Sequence, residues 1–379
     1  MSEWTNIINA STTNDPLSGA INTPIQLSST FNQKSFEDFG QYDYARSGNP
    51  TRAAGEKAIA QLEHGQYGYL FSTGMAAISS VLFTLSAGDH IIVSKHVYGG
   101  TFRVLEDILS RWGIRHDFVD FSDLDAIEAT IRPETKALYI ETPSNPVLNI
   151  TDIRAVVNIA KKNQLFTIAD NTFLSPFLQN PLDLGVDIVI HSATKFLAGH
   201  SDILAGAVVV NDKKLADKIY FIQNAVGATL GILDTWLLLR GIKTLGVRMS
   251  HASASAQKIA QHLNAHSKVL NVLYPGLQTH KGYRIHVTQA KNGGAVLSFD
   301  VGSKENAKKL VDALKIPVFS VSLGAVESII SYPPKMSHAE LNTEELTASG
   351  ITPGLLRFSV GLEDTDDLIA DLDAALALI

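Results

Sequence analysis

The feature that most constrains this chain is an alternation of short apolar runs with longer helix-patterned segments. The runs fall at residues 67–71, 90–93, 116–119, 137–141, 165–169, 187–190 and 205–210, each four to six residues long. Between them lie segments such as 75–86 and 152–163, long enough for crossover helices. Parallel neighbours need a crossover of a dozen or more residues, usually a helix, and their strands are apolar throughout because both faces are covered. The pattern therefore predicts an α/β fold: a mostly parallel, seven-stranded sheet with helices on both faces. Open sheets of this kind bind ligands at the carboxyl ends of their strands.

The flanks read differently. Residues 1–49 are polar and broken by Pro16, Gly19, Pro24, Gly40 and Gly48, which predicts an extended arm. Residues 50–245 form the expected large domain, with one long core or junction helix over 227–245. Residues 246–379 are expected to be a smaller α+β domain. Its helices fall at 251–265, 304–314 and 364–378, and its strands at 295–301, 318–322 and 355–360.

A chain of 379 residues suggests two domains. A formal charge of −7 and the lack of any Lys/Arg block argue against nucleic acid or an anionic membrane as partner. No apolar run reaches the ~18 residues of a membrane helix, and residues 1–9 do not read as a secretory signal. With no cysteine, disulfides, thiol nucleophiles and Cys-bearing zinc sites are excluded, which fits a cytoplasmic protein.

Two residues at predicted strand ends carry the chemistry. Lys195 lies in HSATKF just past the 187–190 run, and Asp170 ends the 165–169 run. Alone, the first is a surface lysine and the second a turn former. Together they provide an amine that can capture an aldehyde and a carboxylate that can keep a ring nitrogen protonated, the two requirements of pyridoxal phosphate. Burial beside a cationic ring would lower the lysine's pKa in the needed direction. Ser192 and Thr194 can face one anion, and Gly74-Met75 opens a helix whose N-terminal N–H groups suit a phosphate. Without a Walker sequence or GxGxxG, a single phosphate fits better than a nucleotide. Tyr98, flanked by glycines, can lie on a ring, or can simply be packing. Arg357, charged within the apolar run LLRFS, can clamp a substrate carboxylate, or can sit on a half-exposed strand. A zinc site on His191 and His200 is the weakest reading, since a spacing of nine lacks i, i+4 geometry.

The motifs YDYARSGNPT (42–51), TGMAA (73–77), ETPSNP (141–146), DNTF (170–173), HSATK through GHSD (191–202), SLGAVE (322–327) and RFSVG (357–361) resemble, in order, the Cys/Met-metabolism pyridoxal phosphate enzymes. These are the cystathionine γ-synthases, cystathionine lyases and methionine γ-lyases. The resemblance implies pyridoxal phosphate fold type I, with Lys195 linked to the cofactor and shuttling protons, Asp170 on the ring nitrogen and Tyr98 stacked. It further implies Gly74, Met75, Ser192 and Thr194 on the phosphate, Asn145 by the ring hydroxyl, and Ser322 with Arg357 orienting the substrate. Tyr44 and Arg46 would serve a neighbouring subunit's site, within a homotetramer built from dimers. Glu327 and Arg103 resemble the γ-lyase and γ-synthase pattern, with Glu327 holding the distal ammonium of cystathionine. Gly100 stands where methionine γ-lyases typically carry cysteine. The expectation is a carbon–sulfur lyase acting on small amino acids: a cystathionine γ-lyase, with cystathionine β-lyase and cystathionine γ-synthase or O-acetylhomoserine sulfhydrylase as alternatives. Thr73 in place of serine, and Asn9-Ala10-Ser11 in place of His-Gly-Gly, depart from the family pattern. An aminotransferase, or a binding protein that kept the fold without the chemistry, would share the lysine and the aspartate.

Overall fold

The computed structural model describes residues 2–12, 14–15, 17–339 and 342–379, so the break expected at Pro16 lies outside the described residues. All seven apolar runs form strands of one sheet: β1 (Tyr67–Phe71), β2 (His90–Ser94), β3 (Arg115–Val119), β4 (Thr135–Glu141), β5 (Phe166–Asp170), β6 (Ile188–His191) and β7 (Gly206–Val210). Their order is β1-β7-β6-β5-β4-β2-β3. Strands β3, β2, β4, β5 and β6 pair in parallel, whereas β7 runs antiparallel to both β6 and β1. The reversal has a local cause. Residues 192–205 contain no helix, so the chain turns back at the carboxyl edge instead of crossing over.

Successive side chains on a strand face opposite sides, which divides the core in two. Ile92, Leu138, Ile140, Ala169, Val189 and Val209 pack beneath the helices Pro50–Leu62, Ile153–Lys162 and Ile232–Ile242. Ile91, Val93, Tyr139, Ile168, Ile190 and Val208 pack beneath Gly74–Leu82 and Lys213–Val226. Strands β2, β6 and β7 are buried at every residue, as strands covered on both faces must be.

The single helix expected over 227–245 is not formed. Gly227 adopts φ 78° and closes the helix Lys213–Val226, its N–H bonded to Gln223 O. New helices then run over Ile232–Ile242 and Leu245–Ala265, the second starting six residues before the expected 251. The arm also departs from expectation at its start. Glu3–Ala10 is helical, buries Ile7 and Ala10 in the main core, and sets Trp4 edge-on to Phe177 at 5.4 Å.

The second sheet has the order β10-β11-β12-β9-β8. It comprises β8 (Asn271–Leu273), β9 (Val296–Asp300), β10 (Val318–Phe319), β11 (Ile329–Ser331) and β12 (Leu355–Ser359). The strand expected over 318–322 stops after Phe319, and at Ser322 the backbone turns to φ 83°. Leu356 and Phe358 of β12 enter a core with Phe299, Leu310 and Leu368. Arg357 between them consequently faces the other way, towards the large sheet.

Candidate active site

The ends of β4, β5 and β6, the helix Gly74–Leu82 and the loop after β10 enclose a cavity of about 520 Å³, within the usual range for small-molecule sites. Lys195 sits in the turn that follows β6. Its carbonyl accepts the Gly199 N–H at 2.8 Å, while Thr194 locks the turn to Ala205 through its own N–H (3.1 Å) and through its hydroxyl, which accepts the Ala205 N–H (2.9 Å). Lys195 Nζ donates to Ser322 Oγ at 2.7 Å. Burial, and then the nearby Arg357 guanidinium, pull this amine down to about 8, so its neutral, nucleophilic fraction near physiological pH is a minority but far larger than that of an ordinary lysine.

Asp170 ends β5. Its Oδ1 accepts the Thr172 N–H at 3.0 Å and the Thr172 hydroxyl at 2.5 Å. Burial raises its pKa, and the two Thr172 bonds and His191 oppose the rise. A cationic ring nitrogen would answer that desolvation, since an opposite charge restores the ionised form. In register with Asp170 on β4 is Glu141, a cavity residue that sequence reasoning did not single out. It accepts the Tyr98 N–H at 2.7 Å, and burial followed by Asp170 drives its carboxyl well above the usual range. The available signal was an acid closing an apolar strand beside the strand that ends in Asp170.

Tyr98 is 41% exposed and lines the cavity. Across from it, the helix Gly74–Leu82 begins against Ser192. A Cβ at Gly74 would lie 2.8 Å from Ser192 Cβ and 2.9 Å from its hydroxyl, which leaves a narrow cleft of backbone N–H groups and hydroxyls formed with Met75 and Thr194. Arg357 is buried, with Nη1 on Asn145 Oδ1 (2.8 Å) and Nη2 on Ser322 O (2.5 Å) and Ser331 Oγ (3.1 Å). It has no carboxylate partner among the described residues, its Nε is unbonded, and burial lowers its pKa to about 10. A buried guanidinium without a counter-ion is a site for an anion.

The structure thus brings together Gly74, Met75, Tyr98, Arg103, Asn145, Asp170, Ser192, Thr194, Lys195, Ser322 and Arg357. Three expected residues stand apart. Glu327 is exposed and outside the cavity lining. Its neighbour Ser328 is buried and anchored to Glu363 through N–H and hydroxyl bonds of 2.7 Å. Tyr44 and Arg46 lie outside the lining too, with Arg46 Nη1 on Asn224 O at 2.7 Å and its guanidinium over the Tyr44 ring. Of the two histidines weighed for zinc, His191 is buried on Glu63 and His200 bonds Ala198 O, so they do not converge.

This donor set fits pyridoxal phosphate: a cleft for one phosphate at one end, a buried carboxylate at the other, an aromatic face, and an amine of lowered pKa between them.

Comparison with known proteins agrees. The family model described as "Cys/Met metabolism PLP-dependent enzyme" matches residues 4–377. The chain is 56% identical over 358 residues to the cystathionine beta-lyase MetC of Bacillus subtilis, covering 94% of this chain and 92% of that protein. It is 46% identical over 376 residues to the cystathionine gamma-lyase of the same organism, covering 99% of each. Among solved structures, cystathionine gamma-lyase from Lactobacillus plantarum complexed with L-serine superposes with a TM-score of 0.97 at 45% identity, covering 100% of this chain and 99% of that one. Fold, donor set and likeness over the whole length agree: the chain belongs to the Cys/Met-metabolism pyridoxal phosphate enzymes of fold type I, within the carbon–sulfur lyases of the cystathionine lyase family.

Proposed function

We propose that this protein cleaves L-cystathionine by β-elimination to homocysteine, pyruvate and ammonia. The observation that carries the choice is the paired comparison within Bacillus subtilis, where the chain is 56% identical to the β-lyase and 46% to the γ-lyase. The γ-cleavage expected from sequence leaned on Glu327 and Arg103, and only Arg103 lines the cavity. The γ-lyase reading retains support from the superposition on the Lactobacillus plantarum enzyme.

In this reading Lys195 would hold the cofactor through its aldehyde, Asp170 would pair with the ring nitrogen and Tyr98 would cover the ring. Gly74 and Met75 N–H groups with the Ser192 and Thr194 hydroxyls would hold the phosphate, and Asn145 would serve the ring hydroxyl. Bound there, pyridoxal phosphate supplies an electron sink for the bonds at the substrate Cα. Arg357, in the cavity lining without a carboxylate partner among the described residues, would clamp the α-carboxylate, and Ser322 orients the lysine amine at 2.7 Å. Lys195 would serve as the base for the substrate Cα proton, which its lowered pKa allows. Loss of the thiolate from Cβ completes β-elimination, and γ-cleavage would need a further proton from Cβ. The distal end of cystathionine reaches a mouth lined by Arg103, Leu204 and Val321.

A homotetramer of dimers in the cytoplasm goes with this reading, with Tyr44 and Arg46 completing a neighbour's site. Its support is the arm's uncovered apolar surface, with Leu17 at 96% and Phe36 at 91% exposure. Product analysis on cystathionine is the test. Homocysteine with pyruvate is the expected result, and cysteine with 2-oxobutanoate would replace β-cleavage by γ-cleavage.

A further inference from the structure

Behind the cavity, on the opposite face of the sheet, lies a set of polar side chains that the mechanism does not use. Glu63 directly follows the helix Pro50–Leu62 and is fully buried. Its Oε1 accepts His191 Nε2 at 2.6 Å and Asn171 Nδ2 at 2.8 Å. Asn171 is fixed again from Gln179, whose Nε2 donates to Asn171 Oδ1 at 3.1 Å. None of Glu63, His191 and Asn171 lines the cavity.

Their place in the chain is what matters. Asn171 immediately follows Asp170, and His191 immediately precedes Ser192. The β5–β6 pairing ends at Asp170↔Ile190, followed by a bond from Asn171 N–H to Ile190 O at 3.0 Å. Beyond that point the backbone ladder ends and side chains join the two segments. Because side chains alternate, Asp170 and Ser192 face the cavity while Asn171 and His191 face Glu63. One carboxylate therefore ties both strand ends from behind, while on the cavity side Thr172 Oγ1 accepts the Ser192 N–H at 2.9 Å and its hydroxyl donates to Asp170. Stability alone is a poor reason for such an arrangement, since replacing a buried ion pair with apolar residues of similar volume is often neutral or stabilising.

We propose that Glu63, with His191 and Asn171, is a positioning unit that fixes the span between Asp170 and Ser192, so that one rigid molecule meets the ring-nitrogen acid and the phosphate cleft together. The inference rests on the cofactor roles given above to Asp170 and Ser192. Holding two anchors at a set separation strengthens ligands that use both and does little for a ligand that uses one.

The test compares pyridoxal 5′-phosphate with pyridoxal, which lacks the phosphate. Apoenzyme carrying Glu63→Leu together with His191→Leu, and separately Glu63→Gln, is titrated with each aldehyde. Thermal midpoints and the visible circular dichroism per bound cofactor are recorded alongside. The expected result is a dissociation constant for pyridoxal 5′-phosphate raised about tenfold or more, a smaller change for pyridoxal, and reduced dichroism per bound cofactor. Should the double replacement fail to fold, Glu63→Gln, which keeps the side-chain shape, carries the same comparison. Equal weakening of both aldehydes, or no weakening, overturns the proposal. Asp170→Asn and Ser192→Ala serve as controls. If they weaken cofactor binding while the Glu63 variants do not, only the positioning role falls. If they leave binding unchanged, the cofactor assignment falls and the positioning role with it.

Discussion

Replacing Lys195 with methionine in the cofactor-free protein tests the electrostatics of the site directly. The amine titrates at about 8 instead of 10.5, chiefly through burial. A lysine whose pKa is lower folded than unfolded binds its proton more weakly in the native state, so protonation favours unfolding. Below pH 8 the penalty is complete. At about 1.4 kcal/mol per pH unit it amounts to about 3 kcal/mol, and it fades as pH rises from 8 to 10.5. Methionine has a similar length and no charge, but it forfeits the bond to Ser322 Oγ, worth about 1 kcal/mol. Lys195→Met is therefore expected to stabilise the apoenzyme by about 2 kcal/mol at pH 7, and to lose that advantage by pH 10.5. Urea unfolding of both proteins at a series of pH values reads the difference. A gap that stays constant with pH, or a variant less stable at pH 7, would show that the lysine is not desolvated as its surroundings imply.

Asp170→Asn should keep measurable cofactor while lowering kcat at least about 100-fold, because a neutral amide does not hold the ring nitrogen protonated; wild-type turnover with cystathionine would refute the assignment. Arg357→Met should raise KM sharply, since charge-assisted bonds are worth about 1.5–3 kcal/mol. It should also move the pH midpoint for capture of pyridoxal phosphate by the apoenzyme above 8, because Arg357 is the second cause of the Lys195 shift; an unchanged midpoint contradicts that coupling. Gly199→Ala should lower both the melting temperature and the yield of cofactor-loaded protein, as its Cβ would lie 2.1 Å from Arg248 Nη1 at a residue with φ 75°; parental behaviour in both would contradict the packing.

Much of this site was legible because its chemistry sits at strand ends. The seven runs had strand length and continuous apolar character, and the residues just beyond them, Asp170 and Ser192 to Lys195, needed only the rule that such sheets bind ligands at their carboxyl edge. What escaped sequence reading depended on partners distant in the chain. The reversal of β7 follows from the missing helix in residues 192–205, a stretch whose turn is held in part by Arg248 from another helix. Glu141 reads as the end of an apolar strand until the register places it beside Asp170. Glu63 reads as a polar helix end until His191, 128 residues later, is found on its carboxylate. Glu327, whose sequence neighbourhood suggested substrate contact, lies exposed and outside the cavity lining beside Ser328, which is anchored to Glu363.

The lysine turn also explains why the two sheets act as one site. Segment 192–205 has no helix of its own, and beyond its internal Thr194–Ala205 and Gly199–Lys195 bonds it is held from outside. Arg248, buried and without a carboxylate partner among the described residues, donates to Phe196 O at 2.6 Å, Leu197 O at 3.3 Å and Gly241 O at 2.8 Å. From the second sheet's side, Val326 N–H bonds Gly199 O at 2.9 Å and Ser322 Oγ accepts the lysine amine. The guanidinium that helps lower that amine's pKa belongs to β12 of the second sheet and reaches back to Asn145, which follows β4 of the first. The reactivity of Lys195 is therefore a property of the junction: the large sheet supplies the nucleophile, burial between the sheets and then the positive charge of Arg357 lower its pKa, and Ser322 fixes its position.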